Sequence, residues 1–176
     1  LVFVTAGMGG GTGTGAAPII SKLAMEMNIL TVGIVTMPFV FEGKNRISQA
    51  NIGLDKLRKN VDALIVVNNN KLRDVYGNLG VKQGFSKADE VLATAAKGIA
   101  EVITHHYTQN IDLKDAKTVL SKSGNAIMGS AGSSGEKRAI KAVSNALDSP
   151  LLNDNSIRGA KNCLLYTSPS PRDPSI

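Results

Sequence analysis

The sequence predicts an α/β fold built on a parallel sheet. Short β-branched runs at Leu1 to Thr5, Thr31 to Met37 and Ala63 to Val67 alternate with stretches of helical period. That alternation implies parallel strands joined by right-handed crossovers. A glycine-dense run, Gly9-Gly10-Gly11-Thr12-Gly13-Thr14-Gly15, lies between the first strand and the first helix. Such a junction presents backbone N–H groups and a positive helix end to phosphate.

Each element has its own signal. Ala17 to Met27 reads as a helix with Pro18 in its first turn, where the missing N–H is harmless. Ile47, Ala50, Leu54, Leu57 and Val61 recur at three and four residues, which makes the stretch after Glu42 an amphipathic helix. Asn68-Asn69-Asn70 ends the third strand. The longest helix is expected from Ser86 to about His105, with Val91, Leu92, Ala95, Ile99, Val102 and Ile103 on one face. Ser86 and Asp89 form a capping-box-like start to it. Asp112 to Leu120 predicts a short helix, and Asn125 to Ser130 a strand. Ser133 with Glu136 predicts a last helix, closed by Ser149-Pro150.

The 176 residues, 43% of them hydrophobic, suffice for most of one core. The formal charge of +6 is scattered along helix-like faces, and with 4% aromatic residues and no Trp the chain lacks a base-stacking platform, so no nucleic-acid partner is expected. No apolar run approaches the ~20 residues of a membrane-spanning helix, so no direct membrane insertion is expected. The single Cys163 suits a reducing compartment. His105 and His106 are adjacent, do not share a helix face and lack a third ligand, so no metal site is expected. From Cys163 onward the composition turns to Ser and Pro, and residues 163–176 read as a disordered, non-native junction. Because Leu1 already reads as strand, the natural protein is expected to begin earlier.

Five glycines held in one conformation oppose folding by roughly 0.5 to 1 kcal/mol each, so a bound phosphate is the expected compensation. A P-loop requires Lys and Ser or Thr after its last glycine, but Gly15 precedes Ala16-Ala17. The dinucleotide pattern is met by Gly11, Gly13 and Ala16, yet the acid expected about 20 residues on is replaced by Thr36, Met37 and Pro38.

The segment from Ala6 through the glycine run to Pro18 resembles the phosphate loop of FtsZ, the family of bacterial tubulin-like cell-division GTPases. The resemblance continues through Phe41-Glu42-Gly43-Lys44-Asn45-Arg46, Asn69-Asn70-Lys71-Leu72, Asn110-Ile111-Asp112-Leu113-Lys114-Asp115 and Ser149-Pro150-Leu151-Leu152, and covers about Leu1 to Asn162. It implies the later half of a GTP-binding domain at 1–85, a connecting central helix at 86–106 and the start of an α+β GTPase-activation domain at 107–162.

The resemblance also implies roles. Gly9, Gly10, Gly11, Thr12, Gly13, Thr14 and Gly15 would cradle phosphate, and Glu42 and Arg46 would contact ribose and phosphate. By spacing alone, Glu42 and Arg46 serve equally as an exposed i,i+4 ion pair. Asn69 would hold guanine, or alternatively make an Asx-turn; Asn68 and Asn70 replace the family's usual Pro and Asp, which predicts a less rigid loop. Phe85 would stack on the base and Asp89 would accept from guanine N1 and N2, where a helix cap and a core aromatic are the plain alternatives.

Asn110, Asp112 and Asp115 match the family's catalytic loop, whose acids polarise water against the γ-phosphate of the next subunit. On a helix the two acids are equally suited to a first turn. Tyr107 stands where the family usually has Gly. The implied ligands are GTP or GDP, with Mg²⁺ on the phosphates. The implied partners are further copies of the chain, head to tail, with membrane-tethering and regulatory division proteins engaging regions beyond this sequence. The implied location is cytoplasmic, at the mid-cell division site. The 176 residues alone are expected neither to hydrolyse GTP nor to polymerise. Two other classes remain open at this point: a dinucleotide oxidoreductase and a non-hydrolysing tubulin-like filament protein.

Overall fold

β1 spans Val2–Gly7, α1 Gly11–Glu26, β2 Thr31–Met37, α2 Lys44–Arg58 and β3 Ala63–Asn68. There follow α3 at Leu72–Tyr76, α4 at Val81–Thr104, α5 at Leu113–Leu120, β4 at Gly124–Asn125 and α6 at Arg138–Leu147. This computed structural model describes residues 1–104, 112–147 and 159–165. Asn110, the 105–107 segment, Ser149-Pro150 and residues 166–176 therefore lie outside the described residues.

The strands are parallel and ordered β1, β2, β3, β4, with Val2 opposite Thr31 and Val32 opposite Ala63. Alternate side chains of β2 feed two different cores. Val35 joins Val4, Ala17, Leu54, Leu57 and Leu64 under α1 and α2. Val32 and Ile34 join Ala63 and Ile65, against which Leu92, Ala95 and Ile99 of α4 and Leu120 of α5 pack. Cover on both faces is why β2 reads as a continuous apolar run. At its centre Gly33 leaves room that a Cβ would fill, 2.9 Å from Leu64 Cδ1 and 3.5 Å from Leu57 Cδ2.

Four expected boundaries are corrected. The first helix starts at Gly11 instead of Ala17, so Gly11 to Gly15 form its opening turns and the glycine loop proper shrinks to Met8, Gly9 and Gly10. Pro18 is consequently inside the helix and not in its first turn, and the carbonyl of Thr14 loses its helical partner there. Burial of Ala17, Pro18, Ser21 and Ala24 under the sheet overrides the local preference against helix.

α4 begins at Val81, so Ser86 and Asp89 do not cap it. Gln83 Oε1 instead accepts the Gly80 N–H at 3.3 Å, the glutamine half of a capping box one turn earlier. The strand expected at Asn125 to Ser130 is only Gly124–Asn125: it pairs with Ala63 and Leu64, the Ala126 N–H makes the last bond of the ladder to Leu64 O at 2.9 Å, and beyond that Met128 contributes packing. α6 starts at Arg138, two residues after Glu136, because Lys137 adopts φ 57° and breaks the helical path.

Candidate functional site

Three connections meet at the carboxyl edge of the sheet. The first leaves β1 through Met8, whose N–H donates to Thr36 O at 2.9 Å and ties it to the end of β2. Gly9 follows at φ 100°, and a Cβ there would stand 2.9 Å from the Arg46 carbonyl oxygen. The Gly9 N–H donates to Thr14 Oγ1 at 2.9 Å, so the loop is stitched to the second turn of its own helix. A hydroxyl that accepts in this way retains its own proton to donate.

Gly13 allows the closest approach of α1 to β1, since a Cβ would stand 2.5 Å from Gly7 O. Gly11 and Gly15 face open space, and Thr12 is exposed. Gly10 is the N-cap without a side-chain hydrogen bond, and the first turn holds no acid. The opening N–H groups of a 16-residue helix are therefore directed outward with the positive end of its dipole.

The second connection carries Glu42 and Arg46. Glu42 Oε1 accepts the Phe39 N–H at 2.9 Å, closing the turn Val40–Glu42, while Oε2 lies 3.9 Å from Arg46 Nη1. Glu42 is thus both a cap and one side of an ion pair, with 14% of its side chain exposed against 56% for Arg46. The Arg46 guanidinium also lies beside Gly10, with Nη1 3.9 Å from where a Cβ would be. Both plain and functional readings of this pair coexist in one geometry.

The third connection follows β3. Asn69 is 4% exposed, and its Oδ1 and the Ser21 hydroxyl are the buried side-chain oxygens without a hydrogen-bond partner among the described residues. Asn68 and Asn70, which stand in place of the family's usual Pro and Asp, bond to each other and to the second connection. Asn70 Oδ1 accepts the Val40 N–H at 2.8 Å, and its Nδ2 donates to Asn68 Oδ1 and Pro38 O at 3.0 and 3.3 Å. Asn68 Oδ1 also accepts the Asn70 N–H at 3.0 Å.

α4 closes the same edge. Its Ala88 packs with Phe39 and Leu72, which holds the turn carrying Phe85 and Asp89 next to the Asn69 connection. Phe85 lies edge-on to Phe39 and Phe41 at centroid distances of 5.3 and 6.2 Å, and Phe39 stacks on Phe41 at 4.9 Å. Asp89 is exposed. Lys87, on the same turn, has its pKa raised chiefly by its hydrogen bond to Glu90 at 2.6 Å, with burial opposing.

Sequence reasoning missed Phe39, and it gave no packing role to Phe41 and no bonding role to Asn70. Two of the chain's four phenylalanines stand within Pro38 to Phe41, and that density at a strand's carboxyl end was the available signal.

Asp112 and Asp115 are elsewhere. They form a reciprocal capping box on α5: Asp112 Oδ1 accepts the Asp115 N–H at 2.8 Å, and Asp115 Oδ2 accepts the Asp112 N–H at 3.2 Å. Each keeps a second oxygen outside that box. The segment after α5 joins the amino edge of the sheet, where Gly124 pairs with Ala63. β1 alone, six residues long, separates that edge from the glycine loop by about 20 Å. The glycine loop thus leaves the carboxyl edge of the sheet, and α5, which the two acids cap, leads into the amino edge.

An open groove of about 290 Å³ runs between the start of α1 and α2, lined among others by Gly10, Gly11, Thr14, Gln49, Gly53 and Lys56. Among the described residues no helix is long and apolar enough to cross a membrane, and no group of three or more His, Cys, Asp or Glu could hold a metal ion.

Residues 1–77 match the Tubulin/FtsZ family, GTPase domain, and residues 124–172 match the FtsZ family, C-terminal domain. The chain is 53% identical over 174 residues to the cell division protein FtsZ of Porphyromonas gingivalis, covering 99% of this chain and 38% of that protein. Among solved structures, the empty FtsZ dimer of M. jannaschii superposes with a TM-score of 0.81 at 47% identity, over 86% of this chain and 44% of that one. CetZ2 of Haloferax volcanii, a GTPγS-bound protofilament, does so with a TM-score of 0.60 at 26% identity, over 75% and 39%. The chain therefore spans well under half the length of these relatives.

Proposed function

The chain belongs to the tubulin/FtsZ family, and from that premise we propose that its protein binds and hydrolyses GTP and assembles head to tail into the filament ring of cell division, in the cytoplasm at mid-cell. The observation that carries the nucleotide assignment is the buried, unpartnered Oδ1 of Asn69 at the carboxyl edge that also holds the open start of α1. An orphaned acceptor calls for a donor, and guanine presents N1–H and N2–H side by side where adenine offers no such pair.

In this reading Gly9 to Gly15 cradle the phosphates through backbone N–H groups, aided by the Thr12 and Thr14 hydroxyls. Arg46 and Glu42 meet the phosphate and ribose. Asn69 and Asp89 accept from guanine while Phe85 stacks on it. Mg²⁺ would be held by the phosphates and would offset their charge as the γ-phosphoryl group departs. Asn110, Asp112 and Asp115 act on the γ-phosphate of the neighbouring subunit, a reading supported by α5, which the acids cap, leading into the amino edge of the sheet while the glycine loop leaves its carboxyl edge. The relatives described as an FtsZ dimer and a GTPγS protofilament support self-association. A dinucleotide oxidoreductase is not supported, since β2 ends in Thr36, Met37 and Pro38 without the ribose-binding acid. A filament without hydrolysis is not supported, since both acids are present.

Nucleotide binding by the full-length protein, with GTP, GDP, ATP and NAD, tests the assignment. GTP and GDP are expected to bind at least about 100-fold tighter than ATP or NAD, and Asp89→Asn is expected to shrink that preference by about 10- to 100-fold through loss of a charged acceptor. Equal affinity for ATP, or a preference untouched by Asp89→Asn, would overturn the guanine site.

A further inference from the structure

Asp62, the residue before β3, is 8% exposed and uses every polar atom it has. Its N–H donates to Thr31 O at 2.9 Å, and its Oδ2 accepts the Thr31 N–H at 3.0 Å, which fixes it to β2. Its other carboxylate oxygen, Oδ1, accepts the Lys122 N–H at 3.2 Å and the Ser121 hydroxyl at 3.4 Å. Its carbonyl accepts the Gly124 N–H at 2.9 Å and the Ser123 hydroxyl at 3.4 Å. One side chain and its peptide thus hold four consecutive residues, 121 to 124, about 60 positions away in sequence. Lys122 is held at φ 53°, a conformation that a non-glycine residue adopts only under constraint.

Residues 121 to 124 follow directly on α5, whose other end carries Asp112 and Asp115. α5 is about 12 Å long, so a tilt of roughly 10° at its carboxyl end moves its amino end by about 2 Å. Displacements near 1 Å can lower turnover by about 100-fold. We propose that Asp62 is a positioning residue: it clamps the carboxyl end of α5 to the sheet and thereby aims the acids that act on the neighbouring subunit's nucleotide. This rests on the reading of Asp112 and Asp115 given above. The clamp sits at the amino edge, away from the glycine loop and Asn69, so it bears on turnover and not on nucleotide binding.

The test compares Asp62→Ala, Asp62→Asn and Asp115→Ala in the full-length protein by GTP affinity, kcat and thermal unfolding. Asp62→Ala is expected to lower kcat about 10- to 100-fold with GTP affinity within about twofold of wild type. Asp62→Asn keeps one acceptor oxygen and is expected to fall between the two, and it carries the test if Asp62→Ala does not fold. A folded Asp62 variant with unchanged kcat, beside an inactive Asp115→Ala, overturns the clamp alone. An Asp62 variant whose GTP affinity falls in step with kcat overturns it too, by showing a general scaffold role. Full activity in Asp115→Ala removes the catalytic reading on which the clamp depends.

Discussion

Asp115→Ala in the full-length protein is expected to lower GTP turnover by about 100- to 1,000-fold, the scale of one preorganised electrostatic contact in a transition state, while GTP affinity changes by less than about threefold. The separation follows from geometry. Asp115 heads α5, which leads into the amino edge of the sheet, whereas the glycine loop leaves the carboxyl edge, so in the proposed function Asp115 has no part in binding its own chain's nucleotide. Asp115 is also the far half of the α5 capping box, accepting the N–H of the N-cap Asp112, and an alanine there forfeits a hydrogen bond worth about 0.5 to 1.5 kcal/mol. Asp112→Asn separates the two effects, because asparagine caps as well as aspartate but carries no charge. It is expected to lose turnover with an unchanged melting temperature. Phosphate release, direct nucleotide titration and thermal unfolding together make the check. Loss of binding as deep as the loss of turnover would remove the assignment of the acids to a neighbour.

Gly13→Ala is the second large effect. The new methyl group would stand 2.5 Å from the carbonyl oxygen of Gly7 and 3.3 Å from Ala6 Cβ, and both belong to β1. Backbone cannot yield as a flexible side chain does, so α1 must lift from the sheet. The expected cost is about 1 to 3 kcal/mol of stability, seen as a melting temperature lower by several degrees. Lifting α1 also disturbs the bond from Gly9 to Thr14 and the N–H groups that follow it, so GTP affinity is expected to fall at least about tenfold. Gly15→Ala provides the contrast in stability, because a Cβ there meets nothing within 4 Å and sits in a helix. It is expected to leave the melting temperature unchanged or raise it by up to about 1 kcal/mol equivalent. Equal destabilisation by both would mean that the contact of Gly13 with β1 does not decide the site, because helix propensity favours alanine at both positions.

The strands and the α2 helix were legible because their signals are local. A β-branched run and a three-and-four period depend on neighbours in sequence, and both cores confirm them. The beginning of α1 was not legible, since five glycines and Pro18 oppose helix by propensity and only the packing of Gly13 on Gly7 and of Ala17, Ser21 and Ala24 under the sheet reverses that. The β4 strand was overread because the ladder ends at the bond from Ala126 to Leu64, while Met128 is apolar for packing alone.

At the site, the resemblance to the FtsZ family, and not residue types or spacing alone, pointed to Glu42, Arg46, Asn69, Phe85 and Asp89. Their state did not follow from sequence. That Asn69 keeps an unpartnered buried oxygen, while Asn70 binds Val40, Pro38 and Asn68, depends on three connections meeting in space. The Asp62 clamp was invisible for the same reason, as its partners at 121 to 124 are distant in sequence.

In the proposed function each GTP site is shared, with the nucleotide on one subunit and the acids on the next. Mixing two full-length variants tests it most directly. Asp115→Ala keeps its nucleotide face and lacks an acid, whereas Asp89→Ala keeps its acids and lacks a guanine contact. Each alone is expected to be nearly inactive. In a 1:1 mixture, the interfaces that join an intact nucleotide face to intact acids regain turnover, so the rate is expected to rise well above the sum of the two separate rates. A mixed rate equal to that sum would contradict the shared site.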